Sequence, residues 1–283
     1  MGPQVAPLHF MLLVLSTLLI AGAGNIINDY FDQRIDRINR PDTVIVGRTV
    51  KRRVAMAAHI VLSSLGLLLG WWVAWRQGLW YMALLPPFAI GALWTYSTTF
   101  KRRFLIGNGL VALLTALVPL QTGLYEIIAL QRALPADLAQ LMHDQDTYRL
   151  FFNTLWTAII AYTGFAFLAT LVRELQKDMA DVQGDKAEGC RTVPIVMGMG
   201  WSKGLVLAYT ALMILGILVV RQTYLDDRLS FWYINLAIVA PLLVSAGLTY
   251  QAHTRREHLL AGNLLKVAMV MAVGYAWLIR YTL

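Results

Sequence analysis

Two stretches of this sequence place carboxylates at one repeated spacing. Asn25, Asp29, Asp32 and Asp36 lie at offsets 0, 4, 7 and 11, and so do Glu174, Asp178, Asp181 and Asp185. On a helix these offsets fall on one face, within an arc of roughly 60°. The seven acids repel one another unless cations lie among them. Hard divalent ions prefer such oxygen ligands, and Mg²⁺ keeps positions open for water and phosphate oxygens. The pattern therefore predicts a diphosphate held through Mg²⁺ rather than a bare metal site. Arg40, Arg48, Lys101, Arg102, Lys177 and Arg191 are the nearby cations that would meet the remaining phosphate charge. One such run alone also admits the reading of a solvated helix end, as the less favoured one. Two with matching spacing read as halves of an internal repeat facing across a cavity.

The elements that carry these acids are apolar. The 283 residues are 58% hydrophobic and 14% charged, which excludes an ordinary soluble domain. Eight spans are predicted, at about 8–28, 54–75, 79–98, 107–125, 152–174, 203–221, 231–250 and 262–281, each near the ~20 residues that cross a bilayer. They form an all-α, polytopic membrane helix bundle, read as a single domain over 1–283. The 126–150 connection alternates polar and apolar residues and predicts a short interfacial helix. Of the 24 Lys and Arg, 18 fall on one set of alternate loops, beginning with Arg34–Arg53. That side is cytoplasmic by the positive-inside rule, and both acidic runs lie on it. The net charge of +8 thus reflects topology, and no nucleic-acid partner is expected. Nine Trp and twelve Tyr suit two bilayer interfaces.

A diphosphate site inside an apolar bundle implies a lipid diphosphate. The expected reaction is ionisation of an allylic prenyl diphosphate, with the leaving group stabilised by metal and cationic side chains. The allylic cation must be shielded from water until an acceptor attacks. Tyr30, Phe31, Trp94, Tyr96, Tyr162, Phe165 and Phe167 are aromatic candidates for stabilising it.

These residues resemble the UbiA superfamily of intramembrane prenyltransferases. NDYFDQRID matches that family's NDxxDxxxD motif and DMADVQGD its DxxDxxxD motif. YSTTFKRR resembles its Tyr-Ser…Leu-Lys-Arg segment, with Phe100 in place of Leu, and INRPDTVIVGR resembles its Arg-Pro…Gly loop. The resemblance implies nine helices around a central cavity and Mg²⁺-dependent prenyl transfer. It implies that Asp29, Asp32 and Asp36, with Asp178, Asp181 and Asp185, hold the Mg²⁺–diphosphate. Asp29, Asp32, Asp178 and Asp181 would be its catalytic core. It further implies support from Asn25 and Asn28, with phosphate contacts from Lys101, Arg48 and Lys177. Tyr96 belongs to the substrate-binding segment by the same resemblance. Within the superfamily the chain is most similar to archaeal-type digeranylgeranylglyceryl phosphate synthases. That implies a geranylgeranyl donor and a geranylgeranylglyceryl phosphate acceptor, joined as an ether. The family also has a helix before the one ending in NDxxD. The eight spans therefore correspond to its nine without the first, and Met1 reads as a late start or the chain as shortened.

Other readings stay open at this stage. Quinone-type and chlorophyll-type members carry similar acidic motifs with aromatic or chlorophyllide acceptors. A non-catalytic membrane protein that binds prenyl diphosphate would retain the same residues. A cation transporter is disfavoured, because the acids lie at span ends rather than centres. His9, His59, His143, His253 and His258 share no spacing and read as interfacial or loop residues. His143, Asp144 and Asp146 read as an exposed polar turn. Cys190 reads as an incidental loop thiol, and Asn108 as either a cavity residue or a helix-start residue.

Overall fold

The structure is a computed structural model. It describes residues 4–133 and 145–278, with no account of the side chains of 145–148. It is helical throughout, and its only β feature among the described residues is the isolated Val46–Val50 bridge. Its helices are α1 (Pro7–Phe31), α2 (Gln33–Asn39), α3 (Arg52–Arg76), α4 (Leu85–Thr98) and α5 (Ile106–Ala133). They continue as α6 (Gln145–Ala187), α7 (Val193–Val196), α8 (Gly198–Tyr224), α9 (Arg228–Gln251) and α10 (Arg255–Leu278).

Seven described helices are long and apolar enough to span a bilayer. The expected span at 79–98 is built differently. Pro86 and Pro87 have no N–H to donate, so an α-helix cannot run through them from Leu79. Instead a five-residue 3₁₀ stretch, Trp80–Leu84, leads into α4, whose first turn holds both prolines. Together they rise about 31 Å, enough for the hydrocarbon core. The 126–150 segment, where a short interfacial helix is expected, is described only at its ends. Residues 126–133 complete α5 and 145–150 begin α6, while 134–144, including His143 and Asp144, lie outside the described residues. The side chain of Asp146 lies outside them as well.

The chain divides into two compact units. Unit 1 comprises Met1–Lys101 and Leu117–Leu155, and unit 2 comprises Arg102–Ala116 and Trp156–Leu283. In unit 1, α1 packs closely on α3 and α4 because small residues line the contact. A Cβ on Gly66 would meet Ile20 at 2.7 Å, and one on Gly70 would meet Pro86 at 2.6 Å. Ser16 Oγ donates to Gly66 O at 2.6 Å across the same seam. His59 is not interfacial as the sequence suggests. It is buried in α3, and its Nδ1–H donates to Ala23 O of α1 at 3.0 Å. A satellite core of Val5, Leu13, Val73, Leu79, Met82 and Tyr125 closes the far end of this unit. Exposed Trp75, Trp80 and Tyr81 ring that end, as aromatic residues do at a bilayer surface.

Unit 2 has the larger core. Val172, Leu175 and Met179 of α6 pack with Val206 and Met213 of α8, Leu242 of α9, and Leu265 and Ala268 of α10. A π-helical turn at Ile234–Val239 precedes Pro241, where a backbone donor is missing. Asp227 caps α9 by accepting the Ser230 N–H at 2.7 Å. His258 is fully buried in α10, again contrary to the loop placement its sequence context suggests.

Candidate active site

The first acidic run does not lie on one continuous helix. α1 stops at Phe31, Asp32 has φ −87° and ψ 4°, and α2 starts at Gln33. The i→i−4 bonds nevertheless continue across the break, from Asp32 N to Asn28 O and from Asp36 N to Asp32 O. The Gln33 side-chain amide donates to Tyr30 O at 2.9 Å beside it. The carboxylates therefore keep their order while the axis is released at Asp32. Gln33 in turn rests on the loop at Gly47, where a Cβ would meet its Oε1 at 2.6 Å and where φ is +84°. Only glycine fits both demands at low cost.

Within unit 1 each buried acid of this run has a cation. Asp32 is 4% exposed, and Lys101, from the 3₁₀ turn after α4, reaches its Oδ2. Arg40 grips Asp36 with two parallel bonds, Nε to Oδ1 at 2.9 Å and Nη2 to Oδ2 at 3.1 Å. Its Nη2 also lies 3.8 Å from Asp29 Oδ1. Bidentate pairing of this kind fixes both orientation and charge. Asn28 Oδ1 is buried without a hydrogen-bond partner beside these acids, and Asn25 is exposed. Arg48 is exposed and donates to Pro41 O at 3.1 Å, which ties it to its own loop. Tyr96 is half-buried on α4. The aromatic candidates Tyr30, Phe31 and Trp94 form a chain of edge-on contacts at 5.2 and 5.8 Å, continued by His59 at 5.6 Å from Trp94. Arg52 lies over the Tyr30 ring at 4.6 Å.

The second run is carried by the unbroken, 43-residue α6, which joins the fifth expected span to the acidic stretch as one helix. Glu174 and Asp185 are buried, while Asp178 and Asp181 are half-buried. Arg173 pairs with Glu174 at 3.2 Å. Asn108, in the first turn of α5, donates from Nδ2 to Asp178 Oδ2 at 2.8 Å. Arg255, in the first turn of α10, approaches Asp181 Oδ1 at 3.3 Å. Lys177 is half-buried, and Arg102 and Arg191 are exposed. Their backbones meet, Arg191 N donating to Arg102 O at 3.0 Å. The turn before α5 includes Leu105 at φ +58°, a strained conformation for a branched side chain. Cys190 is buried, with its N–H on Asp185 O at 2.8 Å.

Arg255 was not distinguishable in the sequence from the other basic loop residues. It is 74 positions from its acid, and only the packing of unit 2 shows the pair. The 70-residue separation of Asn108 from Asp178 hides that contact in the same way.

Residues 1–269 match the model of the UbiA prenyltransferase family. The chain belongs to that family. It is thus an integral, multi-pass membrane prenyltransferase. It is 31% identical to the digeranylgeranylglyceryl phosphate synthase of Methanothermobacter thermautotrophicus over 256 residues, 88% of this chain and 77% of that protein. Its fold is similar to the apo structure of a UbiA homolog from Aeropyrum pernix K1 (TM-score 0.68, 14% identity, 96% of this chain and 90% of that one). It is also similar to a UbiA homolog from Archaeoglobus fulgidus bound to DMAPP and Mg²⁺ (TM-score 0.57, 15% identity, 95% and 89% covered). Among the described residues of this chain no three His, Cys, Asp or Glu side chains converge to hold a metal by themselves. The donor chemistry nonetheless fits Mg²⁺. Both runs offer only hard oxygens, and Asn28 Oδ1 is a buried acceptor awaiting a partner.

Proposed function

We propose that this prenyltransferase transfers a geranylgeranyl group from its diphosphate to the hydroxyl of geranylgeranylglyceryl phosphate, forming an ether, at the cytoplasmic membrane face. The similarity to digeranylgeranylglyceryl phosphate synthases over most of the chain supports the substrates. The excess of Lys and Arg on the loops that share the side of the acidic runs supports the face. The observation that carries the site is that each acidic run is held by its own cation or amide, Lys101 and Arg40 in one unit, Asn108 and Arg255 in the other.

Asp29, Asp32 and Asp36 with Asp178, Asp181 and Asp185 would hold Mg²⁺, and Asn25 and Asn28 would support that shell. Mg²⁺ would neutralise charge on the leaving diphosphate. Lys101 and Arg40 then have a second role. Each is paired with a carboxylate and would be available to a phosphate oxygen when the acids hold metal. Arg48, Arg102, Lys177, Arg191 and Tyr96 would line the phosphate side. As the C1–O bond breaks, the electron pair leaves with diphosphate, and the cationic side chains stabilise that charge. The Tyr30–Phe31–Trp94 faces shield the allylic cation until the acceptor hydroxyl attacks C1. The hydroxyl proton passes to a carboxylate or to the departing diphosphate.

The test supplies membranes containing the chain with labelled geranylgeranyl diphosphate and four acceptors: geranylgeranylglyceryl phosphate, 4-hydroxybenzoate, a naphthoate and a chlorophyllide. An ether of the glycerophosphate, formed only with Mg²⁺, is expected. Product from an aromatic or chlorophyllide acceptor instead would overturn the acceptor assignment. Binding of the diphosphate with no product from any acceptor would overturn catalysis.

A further inference from the structure

Gln176 lies in the middle of the second acidic run but takes no part in it. At 100° per residue, Glu174, Asp178, Asp181 and Asp185 all fall about 140–180° around the helix from Gln176. The amide therefore points away from the carboxylates. It is 1% exposed, and Nε2 uses both of its hydrogens, on Ser245 Oγ at 3.1 Å and Thr249 Oγ1 at 2.8 Å of α9. The two hydroxyls pass the bonds on. Ser245 Oγ donates to Ala261 O of α10 at 2.8 Å, and Thr249 Oγ1 donates to Ser245 O at 2.8 Å. One side chain thus ties three helices through a buried polar network in the interior of unit 2.

The surrounding core contacts of α6 come from Val172 and Met179, within about 60° of Gln176 around the helix, and from Leu175 at about 100°. Apolar packing tolerates small rotations and slides of a helix at low cost, whereas buried hydrogen bonds are directional and costly to leave unmade. We infer that Gln176 is a positioning residue for the active site: its clasp on Ser245 and Thr249 fixes the rotation of α6, and so the direction in which the opposite, acidic face presents its carboxylates to the metal and diphosphate. This rests on the proposed Mg²⁺–diphosphate site.

The test measures Mn²⁺ binding by electron paramagnetic resonance on the full chain in detergent, with inorganic pyrophosphate as the anion. Gln176→Met keeps the side-chain volume and removes the clasp, and Thr249→Val removes one partner isosterically. Both are expected to weaken Mn²⁺ binding, Gln176→Met by about tenfold as for other outer supports of metal ligands. The double variant should bind no more weakly than Gln176→Met alone. Met213→Ala, in the same core but away from the clasp, should lower the melting temperature while leaving Mn²⁺ binding intact. If Asp178→Asn loses Mn²⁺ but Gln176→Met and Thr249→Val bind like wild type, the clasp has no positioning role. Equal weakening by Met213→Ala would also overturn it, since any loss of stability would then suffice. A wild-type chain that takes up no Mn²⁺ with pyrophosphate would overturn the metal–diphosphate reading itself, and the positioning role with it.

Discussion

The two acidic runs share one spacing and are built in opposite ways. The first is held locally. Its helix is released at Asp32, and Arg40, four residues from Asp36, and Lys101, from a nearby turn, supply the charge. The second is rigid along its length and held from afar, by Asn108 and Arg255 on other helices and by the buried clasp on its back. Under the proposed function, a run held by cations would exchange them for metal. A run on an unbroken helix inside a packed core offers a fixed face. The first run would thus adapt, while the second keeps a fixed face within its own unit.

That contrast is breakable in order of expected effect. Asp32→Asn and Asp178→Asn remove the negative charge of a proposed metal ligand with little change of size, and each should lower turnover more than about 100-fold, above the range for outer-shell losses. Lys101→Ala should lower kcat by roughly 100-fold, because it removes a preorganised cation from the developing diphosphate charge. Asn108→Ala leaves the second run's charge intact and should cost only about tenfold, read chiefly in Mg²⁺ requirement. A larger loss from Asn108→Ala than from Lys101→Ala would reverse the roles assigned to the two halves. Gly47→Ala tests the local support of the first run. Strain at φ +84° and the contact with Gln33 should destabilise it by about 1–2 kcal/mol, seen as faster amide exchange at Arg34–Asn39 than at Lys177–Gly184.

The smallest effect lies outside both runs. Slight burial nudges the Asp227 carboxyl upward, but hydrogen bonds from Ser230 and neighbouring backbone groups outweigh it and hold the pKa below the usual carboxylate value. Its folded-state pKa is thus depressed. The contribution is present above the unfolded pKa and is lost as pH falls through the folded value. Asp227→Ala should cost about 1 kcal/mol as a lost helix cap. The difference from wild type in thermal unfolding should be present near neutral pH and vanish in acid.

Much of this was legible in the residues. The 0, 4, 7, 11 spacing and the apolar runs come from helix geometry and bilayer thickness, which act locally. What was hidden depends on packing. The break at Asp32 is not encoded by a Pro or Gly, and Gln33 occupies a carbonyl there that a sequence pattern does not flag. The interrupted 79–98 span shows the reverse case, because Pro86 and Pro87 already stood in the sequence and their missing donors force the 3₁₀ lead-in. His59 and His258 look like interfacial residues until helix packing buries them. Arg255 and Gln176 acquire roles only once distant helices meet.

The central claim is that acids from both runs serve one Mg²⁺–diphosphate reaction. The most direct measurement is the initial rate of labelled ether formation by Asp29→Asn and Asp181→Asn, each compared with wild type at saturating Mg²⁺ in the same membranes. The account predicts that either substitution alone abolishes product while the protein remains folded and membrane-inserted. Wild-type rates in either variant would show that one run suffices, and would contradict the account.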